Sequence, residues 1–128
     1  FIALDCSPID DINTTHPEFR LGAGPMMRYY DRGTLLKTKL RDYLKTKFNT
    51  SNIQTYFAVG GTDAISYYTE NGGAISTSLL IPGRYLHSPA GIASISDIEK
   101  TISILSEFLA NINNQELLKL KDIYTNGQ

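Results

Sequence analysis

The sequence has 128 residues, 41% hydrophobic and 20% charged, which suits one globular domain around a single core (residues 1–128) and leaves no room for a second. Lysine and arginine total 12 against 13 acidic residues, so the net charge of -1 offers no general attraction for nucleic acid or an anionic membrane. The single Cys6, the lack of a basic signal-peptide segment and the lack of a long apolar run predict a cytoplasmic protein.

The apolar and polar residues predict strands and helices that alternate along the chain. The predicted strands are residues 1–4, 26–30, 53–59 and 74–81, and the predicted helices are residues 34–48, 63–70, 96–111 and 115–128. Such alternation favours an α/β fold, here a three-layer α/β/α sandwich with a mostly parallel sheet.

The first strand reads as a core element. The apolar run over residues 1–4 leads to a turn at Pro8, a pattern typical of a strand buried on both faces, and this places Asp5 at the strand's carboxyl end. Because the chain opens on this run without a methionine, we expect the front of a larger domain to be missing.

The helix predicted over 96–111 has two notable features. Ser96 and Glu99 have the spacing of a capping box, which places the helix start at Ser96. The apolar residues that we expect to face the core are Ile98, Ile102, Leu105 and Leu109.

Asp5 and His87 are the residues whose chemistry suggests a metal site. Both follow apolar strand residues, and a carboxylate and a neutral imidazole are ligands that a zinc-like ion takes when one position stays open for water. Two ligands do not complete a site, so a turn-forming aspartate and a surface histidine remain alternatives. Cys6, next to the negative charge of Asp5, is expected to be a packed thiol rather than a nucleophile.

The segment Gly60-Gly61-Thr62 joins a strand to a helix. Backbone N–H groups at a helix start suit a phosphate, a carboxylate or a developing oxyanion, although Thr62 as a plain N-cap is the alternative. In a parallel sheet, this segment, Asp5 and His87 would all lie beyond the carboxyl ends of the strands, where such folds bind ligands. A small-ligand binding domain that uses the Gly60-Gly61 loop is therefore also open.

Four motifs occur in an order that resembles a known family. They are Ala3-Leu4-Asp5-Cys6-Ser7-Pro8, Gly22-Ala23-Gly24-Pro25, Gly61-Thr62-Asp63-Ala64 and Arg84-Tyr85-Leu86-His87-Ser88-Pro89, followed by a helix with Asp97-Ile98-Glu99. Over residues 1–112 the chain resembles the self-assembling, metal-dependent aminopeptidases that include the tetrahedral, glutamyl and deblocking aminopeptidases, some once described as endoglucanases.

The resemblance implies a fold and a set of ligands. The chain would be the C-terminal part of a zinc-peptidase-like catalytic domain, without the N-terminal part and the inserted β domain. The family binds two divalent metal ions, zinc or cobalt, and by position Asp5 would be the terminal carboxylate ligand of one ion and His87 the imidazole ligand of the other. Gly60, Gly61 and Thr62 would line the cleft and bind the peptide substrate.

The resemblance also implies a function. The complete enzyme would release N-terminal residues from peptides with a metal-activated water, and would form a homo-oligomer, commonly a dodecamer. Its general base and remaining ligands would lie upstream, so no catalytic residue is expected in this chain and the isolated chain should be inactive. The alternative is a non-catalytic α/β interaction or assembly module with peptidase-like topology.

Overall fold

A computed structural model describes residues 1–13, 19–30, 32–33, 35–48, 53–58, 60–70 and 73–126. Strands and helices alternate in it much as the sequence predicts. The elements in chain order are β1 (Ile2–Pro8), β2 (Met26–Tyr30), α1 (Thr38–Lys47), β3 (Gln54–Phe57), α2 (Ala64–Thr69), β4 (Thr77–Arg84), β5 (Ile92–Ala93), α3 (Ile95–Asn111) and α4 (Asn114–Asn126). The predicted positions at Thr34, Asn49 to Asn52, Val59, Gly127 and Gln128, and the loop residues 14–18, lie outside the described residues.

The sheet has the strand order β1-β4-β2-β3, with β5 paired to β4. Its two longer ladders, β1 with β4 and β2 with β3, are parallel, and two short ladders join β4 to β2 and to β5 in antiparallel fashion. The predicted α/β class is confirmed, but β1 and β4 run in one direction while β2 and β3 run in the other.

The first strand differs from its prediction. β1 (Ile2–Pro8) continues past residue 4, so Asp5 lies in the middle of the strand rather than at its carboxyl end. Nor is the strand buried on both faces, since the Leu4 side chain is 58% exposed. β1 forms one edge of the sheet built by the described residues, where only one long side is paired.

The backbone register explains why the strand continues through a proline. The Phe1 C=O accepts a hydrogen bond from the Thr77 N–H, and the Ile9 N–H donates to the Gly83 C=O, each at 3.0 Å. In a parallel ladder, alternate residues bond to the same neighbour, so the odd-numbered residues of β1 face β4. Pro8 is therefore at a position that points to the free edge, where its missing N–H costs no ladder bond.

The main core lies between the sheet and three helices. Strand residues that face α1, α3 and α4 pack with apolar residues of those helices, because side chains alternate between the two faces of a strand. The buried members of this cluster are Met27, Leu40, Leu44, Phe48, Ile53, Leu79, Phe108 and Leu120. At its centre the rings of Phe48 and Phe108 meet edge to face with centroids 5.0 Å apart.

The longest helix, α3, packs with a different face from the one predicted. Ile98, Ile102 and Leu109 are 37%, 60% and 57% exposed, and of the predicted stripe only Leu105 packs against the core cluster. The buried residues are instead Asp97, Thr101 and Phe108. The predicted capping box is also wrong, because the helix begins at Ile95 with Ser94 at the N-cap position and no side-chain cap.

The Asp97 carboxylate accounts for this orientation of α3. It is fully buried, and it accepts hydrogen bonds from the Gly22 N–H at 2.7 Å and the Gly24 N–H at 2.8 Å. Both glycines have positive φ angles, 83° and 101°, which residues with a Cβ rarely adopt. The helix thus presents Asp97 inward in order to bind the turn that precedes β2. Within the described part of the chain, no helix is long and apolar enough to cross a membrane.

Candidate functional site

One cavity of about 640 Å3 contains both predicted metal ligands, Asp5 and His87. Its walls come from β1, β2, β3 and the connection that follows β4. Asp5 and Arg28 alternate along their strands with Leu4 and Met27, which face the helices, so the cavity opens on the other face of the sheet. The fold therefore brings together two residues that are remote in the sequence.

The sequence predicted a site where the carboxyl ends of parallel strands meet at one edge of the sheet. This prediction is wrong. Because β3 runs opposite to β4, Gly60 after β3 and His87 after β4 follow strand ends at opposite edges of the sheet. Long side chains from the middle of the sheet bridge this distance. Arg28 on β2 and Tyr56 on β3 both line the cavity between the two ends.

Arg28 connects the parts of this cavity. Its side chain is only 6% exposed, and its Nε donates to Tyr56 Oη at 2.7 Å while Nη1 donates to the Gly60 C=O at 3.1 Å. Tyr56 Oη is in turn hydrogen-bonded to Ser7 Oγ on β1. Sequence reasoning missed these residues, although a lone charge inside the strand Met26–Tyr30 was a usable signal, because arginine is seldom buried without a purpose.

His87 lies in the connection between β4 and β5, at residues 85–91. Its φ angle is 60° and that of Tyr85 is 57°, in the left-handed region that residues other than glycine seldom occupy. The turn is held by Ser88 Oγ, which donates to the Tyr85 C=O at 2.5 Å and accepts from the Ala90 N–H at 3.3 Å. Such backbone strain costs about 1 kcal/mol or more per residue and concentrates at functional sites.

The Asp5 carboxylate is exposed in the same cavity. Its Oδ1 accepts a hydrogen bond from the Cys6 N–H at 2.7 Å, and its other oxygen has no partner among the described residues. Cys6 is exposed and also lines the cavity, so the prediction of a packed thiol is wrong. Asp5 and Cys6 are thus both accessible in the cavity, whereas Ser7 of the same strand is buried.

The glycine loop is only partly in the cavity. Gly60 and Gly61 line it, whereas Thr62 is 6% exposed and is not part of the lining. The N-cap position of α2 is Asp63, so the alternative that makes Thr62 the cap is wrong. Substrate contact by Thr62 remains a prediction.

A salt bridge fixes the base of the His87 connection. Arg84 Nε donates to Asp11 Oδ1 at 2.5 Å, and the other Asp11 oxygen accepts from the Leu21 N–H at 3.0 Å. The hydrogen bond from Arg84 lowers the pKa of Asp11 to about 2. This ion pair ties the loop after β1 to the end of β4, so the segments that carry Asp5 and His87 are linked close to the cavity.

The donor atoms suit a divalent transition metal but do not complete a site for one. Imidazole and carboxylate are zinc and cobalt ligands, and both Asp5 and His87 present exposed side chains to one cavity. Within the described ranges, no group of three or more His, Cys, Asp or Glu side chains comes together. The described residues therefore fit part of a metal site that needs ligands from elsewhere.

Comparisons with known proteins agree with the family resemblance of the four sequence motifs. The family model described as M42 glutamyl aminopeptidase matches residues 1–104. The glutamyl aminopeptidase of Lactococcus lactis subsp. cremoris (strain MG1363) is 32% identical over 124 residues, which cover 95% of this chain and 35% of that protein.

Solved structures are similar in fold. The aminopeptidase APDkam598 from the archaeon Desulfurococcus kamchatkensis superposes with a TM-score of 0.82 at 22% identity, over 94% of this chain and 36% of that one. The Pyrococcus horikoshii TET1 peptidase, which can assemble into a tetrahedron or a large octahedral shell, gives 0.64 at 25% identity, over 85% and 32%. The chain thus spans about a third of the length of the proteins that it matches.

Proposed function

The chain belongs to the M42 glutamyl aminopeptidase family, and we propose from this that it forms part of the catalytic domain of a metal-dependent aminopeptidase. The observation that carries the proposal is that Asp5 on β1 and His87 in the connection after β4 line one cavity. A carboxylate and an imidazole in one cavity can each bind a metal ion. Such a site suits the hydrolysis of a peptide at its N-terminal residue.

In this proposal, Asp5 and His87 bind different ions of a zinc or cobalt pair. The carboxylate oxygen of Asp5 that does not bond to Cys6 and the imidazole of His87 are the donor groups. A bound divalent ion of this kind lowers the pKa of water and polarises a carbonyl. The left-handed turn at Tyr85 and His87 sets the backbone conformation from which the imidazole extends.

The peptide substrate would bind along the Gly60-Gly61 side of the cavity. Arg28 holds the Gly60 carbonyl and the Tyr56 hydroxyl, so these two groups stay in place while a substrate enters. Thr62, which is buried next to the loop in the sequence, remains part of the proposed substrate-binding segment. The loop's backbone groups can then bind the backbone of an extended peptide.

The rest of the active site would come from polypeptide outside this sequence. The general base and the other metal ligands, expected from the resemblance, would complete the domain, and the isolated chain would be inactive. We also propose a cytoplasmic location. By analogy with the TET1 peptidase, which can assemble into a tetrahedron or a large octahedral shell, we propose that the complete protein is a homo-oligomer.

A chimera tests the proposal. In the L. lactis glutamyl aminopeptidase, this chain would replace the segment that it matches, and hydrolysis of aminoacyl p-nitroanilides with added cobalt or zinc would be measured. We expect turnover in the chimera and none in the isolated chain. Asp5→Asn and His87→Gln should each lower kcat/KM of the chimera by at least about 100-fold.

Two substitutions of the same chemical kind serve as controls. Asp10→Asn changes an exposed carboxylate that accepts from the Asn13 N–H outside the cavity, and His16→Gln changes the chain's other histidine. Both should keep turnover within about twofold of the parent chimera. Turnover that survives loss of Asp5 and His87 would remove the metal assignment, and a folded but inactive chimera would favour the non-catalytic module.

A further inference from the structure

Two hydroxyl groups and a guanidinium meet in the wall of the cavity. Arg28 Nε donates to Tyr56 Oη at 2.7 Å and Arg28 Nη2 donates to Ser7 Oγ at 3.5 Å. The two hydroxyl oxygens are also hydrogen-bonded to each other. Ser7 is fully buried and Arg28 is 6% exposed, whereas Tyr56 is half-buried. All three residues line the cavity, so this network borders the space that a substrate would enter.

The network has one more hydroxyl proton than it can use. Each hydroxyl has one proton to donate, and the bond between Ser7 and Tyr56 uses one of the two. The guanidinium of Arg28 can only donate, so it accepts neither proton. Among the described residues, the two hydroxyls have no hydrogen-bond partners besides each other and Arg28. The second proton is therefore donated to a group outside the network.

Burial decides which oxygen carries this second proton. If Tyr56 donated to Ser7, the second proton would be on Ser7, where a fully buried donor without an acceptor is costly. If Ser7 donates to Tyr56, the second proton is on Tyr56, which is half-buried in the cavity wall. The Tyr56 oxygen then accepts from both Arg28 and Ser7, so its two lone pairs are occupied. Its remaining capacity is to donate one hydrogen bond into the cavity.

The neighbours of Tyr56 also fix its ring and polarise its hydroxyl. The ring packs against Phe19, with centroids 5.5 Å apart, and the positively charged Arg28 donates to the oxygen. A hydroxyl that accepts a hydrogen bond from a cation is a stronger donor, because the bonds of a network polarise one another. Such a hydroxyl favours a ligand that presents an acceptor oxygen, and a carboxylate above all.

The position of this donor indicates which part of a substrate it would meet. Ser7 follows Asp5 by two residues on β1 and on the same face of the sheet, which is a distance of about 7 Å along a strand. The Tyr56 hydroxyl, which is bonded to Ser7, is thus displaced along the strand from the proposed metal ligand. It would meet a part of the peptide other than the carbonyl that the metal ion polarises.

We propose that Tyr56 donates a hydrogen bond to an acceptor oxygen of the peptide substrate other than the scissile carbonyl, and so helps to select the substrate. This oxygen belongs either to the side chain of the N-terminal residue or to the main-chain carbonyl that follows the scissile bond. Ser7 and Arg28 act as positioning residues that orient the hydroxyl. The inference rests on the proposed function.

Kinetics of the chimera with three substrates test the proposal. Alanine β-naphthylamide has neither kind of oxygen, glutamate α-(β-naphthylamide) has only the side-chain carboxylate, and alanyl-alaninamide has only the further carbonyl. Tyr56→Phe removes the donor and keeps the ring. It should lower kcat/KM at least about fivefold with one or both of the last two substrates, mainly by raising KM, and change it less than about twofold with the first. The substrate that is affected identifies the oxygen.

Tyr67→Phe is the matched control, because Tyr67 is 47% exposed and stacks on Phe1 outside the cavity. It should change kcat/KM less than about twofold with all three substrates. Since Tyr56→Phe leaves Ser7 without its acceptor, the double variant Ser7→Ala, Tyr56→Phe removes both hydroxyls and replaces the single variant if that one does not fold. The double variant should show the same selective loss. An equal loss with all three substrates, or no loss with any, overturns the proposal.

Ligand binding to the isolated chain needs no turnover. NMR signals of the Gly60 and Gly61 amides, which line the cavity, would be followed during titration with glutamate α-amide, alanyl-alaninamide and alaninamide. At least one of the first two should bind more tightly than alaninamide, and Tyr56→Phe should raise its Kd at least about fivefold. No binding, or a Kd that does not depend on Tyr56, overturns the proposal. A chimera without turnover, together with binding that depends on Tyr56, would contradict only the proposed function.

Discussion

The side of the sheet covered by α1, α3 and α4 and the side that holds the cavity differ in how far the chain satisfies its own polar groups. On the helix side, Glu116 is hydrogen-bonded to Tyr43 and lies within 3 Å of both Lys47 and Lys119. On the cavity side, Asp5 and His87 present exposed donor atoms. The Glu116 carboxylate is thus satisfied within this chain, whereas under the proposed function Asp5 and His87 would share their metal ions with ligands from outside it.

The largest predicted effect on stability concerns the helix side of the sheet. Phe108→Ala removes a ring that is 8% exposed and packs on Phe48, and should lower the free energy of unfolding by about 3–5 kcal/mol in urea denaturation. Leu109→Ala, at the adjacent position that is 57% exposed, should cost less than about 0.5 kcal/mol. Comparable losses would mean that α3 packs with the opposite face.

A somewhat smaller loss is expected from Asp97→Ala. The substitution removes the acceptor of the Gly22 N–H and of the buried Gly24 N–H, and should cost about 2–3 kcal/mol in the same denaturation measurement. Asp97→Asn, which can accept one of the two bonds, should fall between. Glu99→Ala, exposed on the same helix, serves as the null control, and an equal effect of Glu99→Ala would exclude the buried carboxylate as the cause.

Asp97 also shows what the sequence could predict and what it could not. The existence of α3 followed from its apolar spacing, but the spacing selected the more hydrophobic face as the inner one. The turn that Asp97 binds lies 75 residues away in the sequence, and no local pattern reveals such a partner. Of the apolar stripe, only Leu105 packs against the core, while Ile98, Ile102 and Leu109 are exposed.

The candidate site was predicted in the same uneven way. Asp5 and His87 were selected because few residue types bind metals, and the fold does place both in one cavity, while their role as metal ligands stays a prediction. The sheet directions could not be read from the alternation of elements, because the alternation does not tell whether β2 pairs with β4 in parallel or antiparallel fashion. Because β2 and β3 run opposite to β4, Arg28 and Tyr56 lie between strand ends at opposite edges of the sheet. The sequence does not reveal strand register, so their place in the cavity could not be predicted.

The strained turn predicts a modest effect on the cavity side. At a left-handed residue, glycine avoids a clash that alanine retains, so His87→Gly should be about 1 kcal/mol more stable than His87→Ala in urea denaturation. At Ser88, whose φ is not in the left-handed region, the order should reverse, because glycine gives the unfolded chain more freedom. If His87→Ala proved as stable as His87→Gly, the left-handed backbone at His87 would not be strained.

The smallest predicted effect is a dependence of stability on pH, which should appear on both sides of the sheet. Hydrogen bonds from Arg84 hold the pKa of Asp11 at about 2, against an ordinary value of 3.8. Those from Lys47, Tyr43 and Lys119 hold the pKa of Glu116 at about 2, against 4.5. Because both values are lowered by folding, the two carboxylates stabilise the fold fully above about pH 4.5, and this contribution is lost as the pH falls towards 2.

The double variant Asp11→Asn, Glu116→Gln separates this contribution from the rest of the fold. It should be less stable than the parent chain at pH 7 by urea denaturation, and the two should converge as the pH is lowered from 5 to about 2.5. The difference should be small, since the lysine partners are open to solvent and their ion pairs are screened by salt. A gap that stays constant with pH would show that the variants act through packing instead. Asp11→Asn alone should also speed amide exchange at Leu21, because that N–H donates to the Asp11 carboxylate, whereas Glu116→Gln should leave it unchanged.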